Sequence, residues 1–344
     1  MASLFTDLLG WVVIATFLAA AGVEYVRRHR TGSSDRVVAL RQRLDSLAVP
    51  PERTLATAGW GLFAAFWLAL FPHFAFTQKS YVEGVLSLLA VPACLYAGWL
   101  LWNGRDSLLV LSRAVAAMGV VYFPFETVEP LKRTLILVVT DQTGWLIGQL
   151  GYDPERVTGP VLGYHNAYRF VTPENHGLLF EIVLACTGLG SMAIFAGLIA
   201  AVRAPFGRKV RALAVSIPII WLLNVLRTTF IGITFGNQYL QLFVDEVLLL
   251  FGSSDPYMVS FFLSDRVISQ VLAVVALVGI TYLVVRELPE LVTVIEDVLY
   301  MITKEEYDLL ESLDLPREPA TTDPAYRADG DGRTSDAPGD DRTR

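Results

Sequence analysis

Long apolar runs with few interruptions dominate the pattern of hydrophobic and polar positions along this chain. A run of about 20 apolar residues has the length of a helix that crosses a bilayer. Seven runs meet this description, at residues 4–26, 55–76, 81–102, 107–128, 178–202, 211–235 and 257–285. The pattern therefore predicts an all-α polytopic membrane protein with about seven transmembrane helices.

The stretch at residues 131–150, LKRTLILVVTDQTGWLIGQL, is apolar enough to resemble a further span but carries charged residues. Lys132, Arg133 and Asp141 would each cost roughly 2.5–3.5 kcal/mol at the centre of a bilayer. This stretch is therefore predicted to be an interfacial or re-entrant helix rather than an eighth span.

Changes in composition divide the chain into a membrane domain and a polar tail. Residues 1–286 hold all the predicted spans, and the Gly-, Pro- and aromatic-rich segment at 151–177 predicts an extracytoplasmic cap. A short amphipathic helix is predicted at 239–251, at the same membrane surface. Residues 287–312 show helical periodicity with an acidic face, which indicates an amphipathic cytoplasmic helix. Residues 313–344 are too polar to bury a core, and we expect an acidic, disordered tail there.

Basic residues set the expected orientation, because the cytoplasmic loops of membrane proteins are enriched in Lys and Arg. The connections at residues 27–53 and 203–211 are strongly basic, so both are predicted to be cytoplasmic. Seven spans then place the N-terminus outside the membrane and the C-terminus inside. The two cysteines, Cys94 and Cys186, show no CxxC or other metal-binding spacing. We expect no metal, no cofactor and no nucleic-acid partner.

Three polar residues lie inside predicted spans and need an explanation. Cys186 occurs in LACTGLGSM, Arg227 in WLLNVLRTTF and Arg266 in FFLSDRVISQ. Each is eight or nine residues from the outer end of its span, which corresponds to a depth of about 12 Å at 1.5 Å per residue. Three separate helices are therefore expected to bring these residues to one depth in the membrane.

The chemistry of these three residues points to acyl transfer. An arginine inside a membrane is costly and is a candidate functional residue for that reason. Burial disfavours a thiolate, whereas two nearby guanidinium groups would favour it. Guanidinium donors also suit the oxyanion that forms when a thiolate attacks a carbonyl. The combination predicts a Cys186 nucleophile that forms a thioester, supported by Arg227 and Arg266.

Neighbouring residues offer supporting roles. Asn224 is one helical turn before Arg227 and is expected on the same face. Asp265 is next to Arg266, so an α-helix would turn it about 100° away, towards a different partner. His176 lies ten residues before Cys186, in the predicted cap, and is a candidate general base.

Other interpretations remain open at the level of sequence. A buried cysteine often serves only in packing, as we expect for Cys94. Arg266 has a structural alternative, an ion pair with Asp245 or Glu246. Intramembrane arginines also bind anions in transport, so an anion or lipid transporter or channel is the alternative function, although no inverted repeat is visible. A non-catalytic membrane scaffold is a third possibility.

Three blocks of this sequence, ACTGLGSM, LLNVLRTTFIGITFG and SDRVISQ, resemble the Cys, Arg and Arg motifs of the exosortase/archaeosortase family. The resemblance extends through the membrane domain and is most specific at residues 181–270. It implies a membrane thiol transpeptidase that acts on surface proteins.

By the same resemblance, the partner is a C-terminal tripartite signal consisting of a PGF motif, a transmembrane helix and a basic cluster. Surface proteins such as the S-layer glycoprotein would be cleaved near the motif, joined to a membrane lipid acceptor and so anchored to the cell surface. The resemblance assigns Cys186 as the nucleophile, Arg227 as the proton donor and Arg266 as the transition-state stabiliser.

Overall fold

The computed structural model describes residues 4–28, 49–77, 81–171 and 176–309, which are mostly helical. The predicted disordered tail at 313–344 and most of the basic segment at 27–53 lie outside the described residues. The helices are α1 (Leu4–Arg28), α2 (Pro51–Pro72), α3 (Tyr81–Trp102), α4 (Leu108–Thr127), α5 (Glu129–Gln149), α6 (Leu189–Ala201), α7 (Phe206–Gly236), α8 (Val244–Phe251), α9 (Met258–Phe261), α10 (Ser269–Glu287) and α11 (Val292–Thr303). Shorter 3-10 or π-helical segments lie at His73–Thr77, Leu184–Thr187, Phe262–Ile268 and Pro289–Leu291. The strands are β1 (Glu155–Val157), β2 (Ala167–Val171) and β3 (Gly177–Glu181).

Six helical segments of the described chain are long and apolar enough to cross a membrane, which confirms the predicted helical, multi-pass class. Their bounds are Leu4–Arg27, Pro51–Phe76, Glu83–Trp102, Leu108–Thr127, Phe206–Gly236 and Met258–Glu287. Each of the six corresponds to one of the spans predicted from the sequence.

The predicted span at residues 178–202 is wrong as a single helix. Its first residues belong to β3, and the 3-10 turn Leu184–Thr187 follows before α6 begins. Helix α6 has 13 residues, so at 1.5 Å per residue it is only about 20 Å long. A short apolar run lacks the periodicity that would separate a buried strand from a buried helix, and the sequence pattern therefore merged two elements into one span.

Helix α5 occupies the stretch predicted to be interfacial or re-entrant, and it is not among the six apolar segments of the described chain. It runs beside the second half of α7, where Trp221 Nε1 donates a hydrogen bond to Gln142 Oε1 over 2.9 Å. Near its start, the buried Lys132 places Nζ 3.4 Å from Oε1 of Glu126 in α4. This ion pair lowers the cost of burying the lysine charge.

The strands form an antiparallel sheet in the order β1–β2–β3, with Ala167 opposite Glu181. Apolar side chains of β2 and β3 pack against α5 and the last turns of α7. The approach is close at Gly236, where a Cβ atom would lie 2.2 Å from Cγ of Phe170. The segment at 151–177, predicted to be a turn-rich cap, therefore contributes two strands and the start of a third, and this sheet rests on α5 and α7.

At the end of α7 remote from the sheet, ion pairs connect the helices. Glu24 of α1 is buried and accepts hydrogen bonds from Arg113 of α4 over 3.3 Å and from Arg203 over 2.8 Å. Asp297 of α11 is also buried and accepts a hydrogen bond from Nε of Arg105 over 2.8 Å. The first pair of contacts joins α1 to α4 and to the segment that follows α6, and the second joins α11 to the connection between α3 and α4.

Candidate active site

Cys186 lies in the short connection between β3 and α6. It is in the 3-10 turn Leu184–Thr187, where its N–H donates to the Val183 carbonyl oxygen over 2.8 Å. The residue that follows the turn, Gly188, has φ of +73°, a left-handed conformation that glycine adopts at little cost. A Cβ at Gly188 would lie 2.9 Å from Cγ of Asn224. Glycine at this position therefore allows the turn that carries Cys186 to pack directly on α7.

The backbone of Cys186 is held by two side chains of α7. Nδ2 of Asn224 donates to the Cys186 carbonyl oxygen over 2.6 Å, and Oγ1 of Thr228 lies 3.2 Å from the same oxygen. Residues four apart share one face of a helix, which is why Asn224 and Thr228 reach one acceptor. Sequence reasoning identified Asn224 but missed Thr228, although this spacing would have indicated it.

Arg227 and Arg266 share one carboxylate. Nη2 of Arg227 donates to Oδ1 of Asp265 over 2.6 Å, and Nε of Arg266 lies 3.4 Å from Oδ2 of Asp265. An α-helix would turn Asp265 away from Arg266, but residues Phe262–Ile268 form a π-helix. A π-helical turn holds more residues than an α-helical turn, so neighbouring side chains lie closer in angle. Asp265 therefore pairs with both arginines rather than with a separate group.

The charges of this cluster do not cancel, because two guanidinium groups face a single carboxylate. Arg227 and Asp265 are near enough to Cys186 for both charges to act on its thiol, with opposite signs. Nε of Arg227 is buried and has no hydrogen-bond partner among the described residues. A buried charged donor without a partner is costly, so this nitrogen favours binding of a substrate oxygen.

A cavity of about 300 Å³ opens beside the cluster, between α7 and α10. This volume is at the lower end of the range for small-molecule sites, roughly 300–1,000 Å³. Four lining residues have polar side chains, and the other walls are apolar apart from the backbone of Gly188. The polar side chains are those of Ser191, Asn224, Arg227 and Ser269. The cavity thus gives a bound molecule access to the side chains that surround Cys186.

Known proteins resemble this chain over most of its length. The family model described as transmembrane exosortase matches residues 37–263. The chain belongs to the transmembrane exosortase family. Archaeosortase A of Haloferax volcanii is 57% identical over 325 residues, which cover 92% of this chain and 100% of that relative. Archaeosortase A of Natronomonas pharaonis is 44% identical over 302 residues, which cover 87% of this chain and 89% of the relative. No solved structure matches the chain.

As a transmembrane exosortase, the chain is a multi-pass membrane protein and a sorting enzyme that processes its substrate proteins. The family match includes Cys186 and Arg227 and ends before Arg266. The Cys186 carbonyl oxygen is bound by Asn224 and Thr228, next to Arg227 on α7, and Arg227 and Arg266 share the carboxylate of Asp265. These contacts form one cluster. The structure therefore brings together residues on the β3–α6 turn, on α7 and on the π-helical segment before α10.

His176 lies at the start of β3, at the end of this strand remote from Cys186. Its ring stacks on Tyr257, with ring centroids 4.3 Å apart. The five residues of β3 extend about 16 Å at 3.3 Å per residue. His176 is therefore placed beside α9 rather than in the cluster, and its candidate role as general base gains no support from this position.

The structural alternatives left open by the sequence can be compared with these contacts. Asp245 and Glu246 are exposed on α8, whereas the ion pair of Arg266 is formed with Asp265. Cys94 is buried in an apolar cluster formed mainly by α1–α4, which agrees with a packing role. Within the described residues, no group of His, Cys, Asp and Glu side chains has the arrangement of a metal site.

Proposed function

We propose that this transmembrane exosortase is a cysteine-type transpeptidase in which Cys186 forms an acyl-thioester with its substrate. The observation that carries the proposal is the position of Cys186. Its carbonyl oxygen is fixed by two side chains of α7: Asn224, one turn before Arg227, and Thr228, the residue directly after Arg227. A nucleophile held at a rigid backbone position beside a cationic group is the arrangement that acyl transfer requires.

In the first step, Sγ of Cys186 attacks the carbonyl carbon of the scissile peptide, and the carbonyl oxygen becomes an oxyanion. Arg227 and Arg266 stabilise this charge, and the partnerless Nε of Arg227 is the donor best suited to it. The C–N bond then breaks, and the leaving amine takes up the proton that the thiol released. By family resemblance Arg227 is the proton donor, which we interpret as a hydrogen-bonding and electrostatic role because guanidinium rarely loses a proton.

In the second step, a hydroxyl or amine of a lipid acceptor attacks the thioester carbonyl. The C–S bond breaks, the new bond joins the substrate to the lipid, and the proton of the acceptor returns to Cys186. The substrate class is a surface protein with a C-terminal PGF motif, a transmembrane helix and a basic cluster, such as an S-layer glycoprotein. The family resemblance supports this class, and Archaeosortase A is the name of both relatives.

The membrane orientation is part of the same proposal. The basic connections at 27–53 and 203–211 are placed in the cytoplasm, together with the C-terminal tail. The sheet and the end of α7 that carries Arg227 then face the outside of the cell. This arrangement would expose the reacting cluster to exported substrates and would leave α11 at the cytoplasmic surface.

The proposal is tested by expressing variants in cells that lack the endogenous enzyme and following a PGF-bearing reporter. Cys186→Ala and Cys186→Ser should abolish processing, whereas Cys94→Ala should process the reporter normally. A PGF peptide should also form a hydroxylamine-sensitive adduct with wild-type protein and not with Cys186→Ala. Normal processing by Cys186→Ala would show that the nucleophile is another group and that the thioester on Cys186 is not formed.

A further inference from the structure

The cavity beside Arg227 continues as an apolar groove along α7 and α10, away from the sheet. On α7 its lining residues run from Phe230 to Ile220, about 15 Å at 1.5 Å per residue, and Arg227 lies about one turn from Phe230. On α10 it extends from Ser269 to Ile280, about 16 Å by the same rise. The polar residues of the groove lie near one end, next to the reacting cluster, and Phe230 is the one lining residue beyond Arg227 on α7. From this polar end, a longer apolar part runs parallel to two membrane-spanning helices.

The apolar walls of the groove are open to the surroundings of the helix bundle. Leu223 and Leu226 of α7 are 38% and 45% exposed, and Leu272 of α10 is 60% exposed. All three belong to segments that are apolar enough to cross a membrane. In a bilayer, these side chains face lipid, so a molecule can enter the groove sideways from the hydrocarbon region.

The size of the groove limits what it can hold. A transmembrane helix is 10–12 Å wide with its side chains. A cavity of about 300 Å³ is too small to enclose such a helix. A single flexible apolar chain is narrower and can follow the length of the groove, so a lipid chain fits where a helix does not.

Charge identifies the group expected at the polar end. Arg227 and Arg266 face Asp265, which leaves one uncompensated positive charge among these three side chains. The buried Nε of Arg227 has no partner among the described residues. An anionic oxygen would satisfy both the charge and this donor, and arginine is well suited to phosphate.

We propose that this groove binds one chain of an anionic membrane lipid, with the headgroup phosphate against Arg227. Ser191 and Ser269 also line the groove, and their hydroxyl groups can contact the headgroup. A lipid bound in this way presents its headgroup to the turn that carries Cys186. Its use as the acceptor in the second step rests on the function proposed above, whereas the binding itself does not.

The test uses the full-length protein in vesicles that contain a photoactivatable phosphatidylglycerol with a diazirine in its acyl chain. A matched phosphatidylcholine probe supplies a zwitterionic headgroup. After irradiation, mass spectrometry should find the phosphatidylglycerol adducts concentrated on groove residues such as Leu272 and Leu277. Adducts should be at least fivefold fewer with the phosphatidylcholine probe, and Arg227→Gln should remove this preference.

Two variants of α10 separate the groove from the general lipid-facing surface. Ala276 lines the groove, so Ala276→Trp should reduce the groove adducts at least fivefold. Val275 is 65% exposed and is not among the lining residues, so Val275→Trp should leave them unchanged. Cys186→Ala should also leave them unchanged, which keeps this test independent of the proposed nucleophile.

Three results would overturn the inference. One is an even distribution of adducts over exposed residues of α10 such as Val274 and Val278, unaffected by Ala276→Trp. Another is equal labelling by the two headgroups. The third is capture of substrate protein instead of lipid by a photo-crosslinking amino acid placed at Leu277, since this would show that the groove belongs to the sorting signal.

Discussion

Arg227 donates a 2.6 Å hydrogen bond to Asp265, and this contact joins α7 to the π-helical segment before α10. The second oxygen of Asp265 lies 3.4 Å from Nε of Arg266. One carboxylate therefore sets the orientation of both guanidinium groups. It also leaves a net positive charge for an oxyanion, which a second carboxylate would have cancelled.

Asp265→Asn is expected to reduce processing of a PGF reporter at least tenfold. The neutral amide keeps the shape of the side chain but weakens its hold on both arginines, so neither guanidinium is kept in one orientation. Asp265→Glu retains the charge and should recover part of the activity. Reporter conversion per folded enzyme is the measurement, with folding followed by thermal denaturation in detergent.

Asp245→Asn is the matched control for Asp265→Asn, since Asp245 is an exposed aspartate on α8. It should process the reporter at the wild-type rate. If Asp265→Asn also retains full activity, the arginines are positioned by other contacts and Asp265 has no part in the reaction.

A pair of adjacent threonines on α7 tests how the Cys186 turn is held. Thr228 and Thr229 are each 2% exposed, but within the described part of the chain hydrogen bonds are formed by the Thr228 hydroxyl and not by that of Thr229. Oγ1 of Thr228 lies 3.2 Å from the Cys186 carbonyl oxygen and 2.9 Å from that of Asn224, so its proton is shared. Thr228→Val should lower the free energy of unfolding by about 1 kcal/mol and slow processing several-fold.

Thr229→Val is the control, because Oγ1 of Thr229 is buried without a hydrogen-bond partner among the described residues. Removing an unsatisfied buried hydroxyl should be neutral or slightly stabilising, with no effect on processing. Equal losses for Thr228→Val and Thr229→Val would mean that the two substitutions act through helix packing and not through the Cys186 carbonyl.

The sequence was sufficient for the class of protein and for part of the cluster. Apolar runs of membrane length identified six segments that the structure forms, because such a run has few alternatives in a bilayer. Cys186, Arg227 and Arg266 stood out because cysteine or arginine in an apolar helix needs an explanation. The chemistry of the three side chains could therefore be predicted without knowledge of their contacts.

The local backbone conformation around the site could not be predicted in the same way. The apolar run at 178–202 contains a strand, a turn and a short helix. A continuous apolar run has no periodicity that would distinguish these elements in the sequence. The π-helix at Phe262–Ile268 has no sequence signal of its own, so the pairing of Asp265 with both arginines could not be predicted. Thr228, by contrast, is four residues after Asn224, and this spacing predicts that both side chains lie on one face of α7.

Gly188→Ala is expected to destabilise the turn that follows β3. A left-handed conformation costs an L-residue about 1–2 kcal/mol, and the added Cβ would lie 2.9 Å from Cγ of Asn224. Displacement of Asn224 would release the Cys186 carbonyl, so processing should be lost. Gly190→Ala is the control, because a Cβ there meets nothing within 4 Å and alanine favours the helix. Normal processing by Gly188→Ala would show that the turn tolerates a different backbone conformation.

The last prediction concerns Arg105, which holds α11 against the connection between α3 and α4. Its Nε donates to Oδ1 of Asp297 over 2.8 Å, and its Nη1 donates to Oε1 of Glu306 over 2.9 Å. Its guanidinium carbon lies 3.7 Å from the centroid of the Tyr300 ring. Burial lowers the pKa of Arg105, but the hydrogen bonds to Glu306 and Asp297 outweigh burial and raise it overall. A group whose pKa is raised by folding stabilises the fold fully at every pH below its ordinary pKa, and this stabilisation is lost as the pH rises through the raised pKa. The contact should therefore persist through mildly alkaline conditions.

The two acidic partners of Arg105 differ in burial and should differ in cost. The side chain of Asp297 is 4% exposed, whereas that of Glu306 is 72% exposed. Asp297→Asn removes the buried charge that pairs with the half-buried guanidinium of Arg105, and it should lower the free energy of unfolding by about 1–3 kcal/mol. Glu306→Gln removes an exposed pair and should cost less than about 1 kcal/mol. Thermal denaturation of both variants measures this difference, and reporter processing per folded enzyme should stay at the wild-type level because neither residue lines the cavity. Equal stability of the two variants would mean that α11 is held by its apolar face and not by the Arg105–Asp297 pair.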